Sequence, residues 1–119
     1  MKDLIEKLKY RTDHINEMWE EARHRAKQVE KDRPWQRCVY EHVSKGVHKL
    51  EDEVYDLKDA IRDEFVKNGI VVTGTLKNHC VIVVKDEDEY YIGAYEGSQY
   101  SYMSDIKQIS ELAYNELIK

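Results

Sequence analysis

A chain of 119 residues with 41% apolar and 36% charged side chains suits one globular domain, 1–119, with a modest core. Its net charge of −5 argues against a generic binder of nucleic acid or anionic membrane, and no apolar run approaches the roughly 20 residues of a membrane span. Two cysteines, Cys38 and Cys80, are too few for a disulfide framework, so a reducing, cytoplasmic setting is expected.

The charge mixed through "MKDLIEKLKY" does not suit a signal peptide. Instead, Met1, Ile5, Leu8, Thr12, Ile15, Trp19, Ala22, Ala26 and Val29 step by alternating fours and threes. That spacing predicts a long helix with one buried face, widened by Leu4 and Met18. Pro34 interrupts it. Its ring is tolerated in the first turn of a new helix but not in the interior of an old one, and Asp32 can cap the new start. Val39, Val43, Val47, Leu50, Val54, Leu57, Ile61 and Phe65 then mark a second helix. Asn68-Gly69 stops it, since either residue tolerates left-handed backbone. Gly46 inside this helix costs about 1 kcal/mol relative to alanine.

Three arrangements of the helices are open. The short connection at Pro34 favours an antiparallel hairpin. From Val47 onward β-branched residues alternate with leucine, which suits a two-stranded parallel coiled coil and hence a homodimer. One continuous helix kinked at Pro34 is the third.

Past residue 68 the character changes. Residues 1–68 carry 15 basic and 16 acidic side chains, whereas 69–119 carry 4 and 8. "GIVVTGTL", "HCVIVV", "YYIGAY" and "YSYMS" read as four strands of an antiparallel meander, with turns at Lys77-Asn78, Glu87-Asp88 and Gly97-Ser98. The tail "SDIKQISELAYNELIK" reads as an amphipathic helix with a Ser-Asp cap at its start. The expected fold is α+β: a long helix pair (1–68), then a four-stranded antiparallel sheet and a C-terminal helix (69–119).

Strand parity assigns faces to the sheet. The turns pair Tyr95 with Tyr100, Gly93 with Tyr102, Val83 with Ile92 and Val81 with Ala94. Side chains alternate along a strand, so Tyr91, Tyr95, Tyr100 and Tyr102 share one face with Val71, Thr73, Thr75, Cys80, Ile82 and Val84, while Val72, Leu76, Val81, Val83, Ile92, Ala94, Ser101 and Met103 share the other. Gly93 leaves a groove among the tyrosines. If the rings are not covered they form a recognition surface, because tyrosine is large, stiff, amphipathic and enriched at binding hot spots. The alternative is that they are core with their hydroxyls at the rim. The candidate partner-binding set is therefore Tyr91, Tyr95, Tyr100 and Tyr102 with the acidic turn Asp86, Glu87, Asp88, Glu89 and the nearby Glu96.

A second candidate is the basic stretch "RHRAKQVEKDRPWQR". Arg23, Arg25, Lys27, Arg33 and Arg37 could hold phosphates at a hairpin tip, with Trp35 stacking on a base. Cys38 and His42 lie four apart on one helix face, but no third group at catalytic or metal-ligand spacing accompanies them. The carboxylate run 86–89 lacks the glycine and distal glutamate of a calcium loop. No cofactor, metal or enzyme activity is expected. Two apolar sheet faces and a coiled-coil-like helix also make self-association an expectation.

In size, acidity and build, with "YYIGAYEGSQYSY" in a meander before a short closing helix, the chain resembles small phage-encoded anti-defence proteins, the anti-CRISPR proteins among them. The resemblance covers the whole chain but involves no motif. It implies an inhibitor that occupies a surface of a host nuclease or sequesters a signalling nucleotide. In that case the tyrosines and acidic C-terminal half would meet a basic host surface.

Overall fold

The computed structural model describes residues 1–28, 33–97 and 101–119, with backbone alone at 33–36. Helix α1 spans Lys2–Gln28 and α2 spans Arg33–Asn68; strands β1 Ile70–Gly74, β2 Cys80–Asp86, β3 Glu89–Tyr95 and β4 Ser104–Ile109 precede α3, Glu111–Leu117. The chain divides into two compact units within α2: residues 2–57, and Met1 with 58–119.

The first unit is an antiparallel helical hairpin. Arg11 Nε lies 2.9 Å from Glu53 Oε2, and a Cβ built on Gly46 would come within 3.1 Å of Met18 Cε. Residues 11 and 18 on α1 therefore meet 53 and 46 on α2, which selects the hairpin among the three arrangements. Pro34 falls in the first turn of α2, where its missing N–H has no helical acceptor to lose. The proposed cap Asp32 and the stripe residue Val29 lie outside the described residues. Ala22, Ala26, Val47 and Val54 are the side chains this unit buries fully among those described.

The second unit is the sheet and what covers it. The strands run in the order β1-β2-β3-β4, all antiparallel. The pairs Val83–Ile92 and Val81–Ala94 form as the turn at Glu87-Asp88 requires, with Glu87 at φ 55°. The pairs Cys80–Tyr95, Ile82–Gly93 and Val84–Tyr91 put those six residues on one face, and all six are buried. The end of α2 buries Ile61 and Phe65, exposed by 1% and 0%, and the Phe65 ring lies against this face at Gly93. A Cβ on Gly93 would sit 3.4 Å from the Phe65 ring and 2.8 Å from Met103 Cε. The expected groove at Gly93 is thus filled by a phenylalanine and a methionine, and Met103 lies on this face rather than the other.

Gly69 ends α2, its N–H donating to Phe65 O at 2.9 Å. It is needed for close approach rather than for left-handed backbone: a Cβ there would lie 2.4 Å from Ile82 Cγ2.

The fourth strand departs from its expected place. It is "SDIKQI", not "YSYMS", and pairs Ile109 with Tyr90, Gln108 with Tyr91, Lys107 with Ile92 and Ser104 with Ala94. The pairing of Gly93 with Tyr102 does not form, since residues 101–103 lie outside the strands, and the pairing of Tyr95 with Tyr100 falls outside the described residues. Helix α3 accordingly starts later. Ser110 caps it, its Oγ accepting from Ala113 N at 3.1 Å. Ile106 and Ile109, three apart, fit a helical stripe, and pairing with β3 overrides that local signal, setting the two on opposite faces of a strand.

Candidate interaction surfaces

Two of the four candidate tyrosines are interior. Tyr91 is 4% exposed and Tyr95 9%, so the shared face inferred from parity is a core face, not an open one. The Tyr91 hydroxyl donates to the Glu89 carboxylate, satisfying its polar end at the rim. Tyr102 is half-buried. Lys58 Nζ and Arg62 Cζ each lie 5.6 Å from its ring centroid, and Arg62 Nη1 donates to Ser101 O at 3.4 Å. The segment 101–103 is thereby tied to the end of α2 by cation–π and hydrogen-bond contacts. Tyr100 lies outside the described residues.

The acidic set divides. Asp86 and Glu89 close the β2–β3 hairpin as a pair and are half-buried; Asp86 Oδ2 lies 2.5 Å from the Met1 nitrogen. Glu87, Asp88 and Glu96 are exposed.

The opposite face of the sheet is only partly covered. Tyr114 of α3 packs on Tyr90, ring centroids 4.8 Å apart, at one end. Away from that end, Thr73, Val81, Ala94 and Ser104 form a row across all four strands; a register shift between Val71 and Thr73 brings Thr73 here rather than to the tyrosine face expected for it. Val81 and Ala94 are half-buried, Thr73 and Ser104 exposed. A hollow of about 300 Å³ opens on this row, with His79, Cys80, Tyr95 and Glu96 completing its wall. The next row is Ile70, Val83, Ile92 and Lys107, in which Ile70 is 44% exposed. Burial pushes the Cys80 thiol above its ordinary value, which keeps it protonated. The parity of "HCVIVV" and "YYIGAY" already marked this aliphatic face; that it stays half open was not legible.

Among the described residues the helical hairpin carries two grooves. One, of about 570 Å³, is lined on α1 by Asp3, Glu6, Lys7, Tyr10 and Arg11, and on α2 by Glu53, Asp56 and Leu57. The other, of about 370 Å³, has Met18, Ala22, Val43 and Gly46 as its floor, with Glu21, Arg25, His42, Lys45 and Lys49 around it. Of the basic stretch, Arg25 belongs to this second groove and pairs with Glu21 at 2.6 Å, while Arg37 pairs with Glu41 at 3.0 Å. Arg23 and Lys27 are exposed, and the side chains of Arg33 and Trp35 lie outside the described residues. Lys45 and Lys49 escaped the sequence reading because they lie beyond the basic run, and His42 was read only beside Cys38. Only the fold of the hairpin brings them beside Arg25.

Cys38 and His42 are both exposed. Among the described residues no three His, Cys, Asp or Glu side chains converge as a metal site. No helix among the described residues is long and apolar enough to cross a membrane. No family model, curated protein sequence or solved structure matches the chain.

Proposed function

We propose that the chain is a non-enzymatic protein-binding module of the inhibitor type, which seats a basic partner surface on the half-open face of its sheet. The observation that carries this reading is the row Thr73–Val81–Ala94–Ser104: an apolar floor inside a polar wall, on a rigid four-stranded sheet. That combination is the usual anatomy of a protein interface. Charge supports the choice of partner. Residues 69–119 carry eight carboxylates against four lysines, and Glu87, Asp88, Glu96, Asp105 and Glu111 are all exposed. Such a field steers a basic surface toward the sheet and fixes its orientation. The likeness in size and build to phage inhibitors points to a host nuclease as the owner of that surface.

Capture of a partner from host lysate, compared across variants, tests the proposal. Ser104→Arg and Glu96→Lys both alter exposed wall positions, so the melting curve should hold while partner capture is lost. Capture by both variants at the wild-type level would show that the partner binds elsewhere.

A further inference from the structure

We propose that the helical hairpin is also a self-recognition surface, on which a second copy of the chain docks antiparallel through complementary charge. The two grooves lie on one face. On α1, residues 3, 7, 10, 14, 18, 21 and 25 follow in steps of four and three; on α2, residues 42, 46, 49, 53 and 56 do the same. Steps of that kind keep side chains on one side of a helix. The groove at the open end of the hairpin has four carboxylates and two cations; the groove nearer the tip has three cations and one carboxylate. Their net charges are therefore −2 and +2, with His42 left out of the count.

A two-fold axis across the face, through His14, superposes each acidic groove on the basic groove of the second copy. The residues then meet in complementary pairs, because each pair is equidistant from residue 14. Asp3 faces Arg25, Lys7 faces Glu21, and Tyr10, which is 66% exposed in the single chain, faces Met18. On α2 the same axis falls near Lys49, since residues 11 and 18 lie beside 53 and 46. It sets Lys45 against Glu53 and His42 against Asp56. A two-fold axis along the helices would instead lay like charge on like charge, so the charge pattern selects the antiparallel form. The contact is isologous and closes at two copies.

The face is large enough. At 1.5 Å per residue the 27 residues of α1 run about 40 Å, and two helices side by side are about 20 Å wide. The product, about 800 Å², is the share each partner contributes to a standard interface. Tyr10, Met18, Val43 and Leu57 supply apolar contact, and the charged ends set register.

The test is a charge exchange read by size-exclusion chromatography with light scattering at about 100 µM, a concentration at which even a micromolar interface of this size is mostly occupied. The wild-type chain should run as a dimer that weakens with salt. Asp3→Lys with Asp56→Lys makes both ends basic, and Arg25→Glu with Lys45→Glu makes both acidic. Each double variant alone should be monomeric; mixed in equal amounts they should form a dimer containing one of each. A monomeric wild type, a double variant that dimerises alone, or a mixture that stays monomeric overturns the proposal. Cross-linking covers the case in which a reversed chain does not fold. In a Cys38→Ser background, His14→Cys should be joined by a short bismaleimide, while Tyr55→Cys, exposed and off this stripe, should not. Equal cross-linking at both positions also overturns it.

Discussion

Replacing Phe65 with alanine should remove a large part of the stability of the sheet unit. The ring is 0% exposed and lies against the bare backbone of Gly93, which has no side chain to move into the space left behind. Poor collapse places the substitution within the range of about 3–5 kcal/mol found when a buried phenylalanine is truncated. With a urea m-value of about 1.5 kcal/mol/M, a loss of about 4 kcal/mol lowers the unfolding midpoint by nearly 3 M. Urea titration followed by circular dichroism would measure this. Gly93→Ala supplies the partner experiment. In the wild-type core its Cβ meets Met103 Cε at 2.8 Å and the Phe65 ring at 3.4 Å; once the ring is truncated, both constraints relax, because Met103 gains room to shift. The two substitutions should thus couple by about 0.5–3 kcal/mol, the double variant being less damaged than the single costs suggest. A cost below about 1 kcal/mol for Phe65→Ala, or additivity within about 0.5 kcal/mol, would refute the packing of this ring on Gly93.

Other outcomes follow from the same contacts. Tyr95→Ala should lower the melting temperature sharply, because the ring is core; Tyr91→Phe should cost about 1–2 kcal/mol by leaving Glu89 without its phenol donor. Gly97→Ala should destabilise by about 1–3 kcal/mol, since its φ is +83° and the new Cβ would lie 2.6 Å from the Asn78 nitrogen; calorimetry would read this as a lower melting temperature. Cys80 should make stability fall at alkaline pH. Its folded pKa is raised above the ordinary 9.0, so its contribution is whole below that value and is lost as pH rises through the folded one. Cys80→Ala should flatten that decline in urea titrations between neutral and alkaline pH. With a thiol reagent at neutral pH, Cys38, exposed, should react at once, and Cys80 only as the chain unfolds.

The elements whose signals are local were legible in the amino-acid pattern alone. Period and proline placement set the two long helices, and the two-residue turn at Glu87-Asp88 set the β2–β3 register and the parity that groups Tyr91 with Tyr95. Side-chain alternation is a property of the extended backbone and needs no partner to act. Tertiary structure decided which side of the sheet the end of α2 would take, and so turned the tyrosine face into core. It also decided that "SDIKQI" would be a strand: the spacing of Ile106 and Ile109 suits a helix, and the backbone groups of β3 override it by pairing. Likewise, only the meeting of α1 with α2 joins Arg25 to Lys45 and Lys49. Contacts between distant residues depend on which surfaces bury most together, and no short window of sequence carries that comparison.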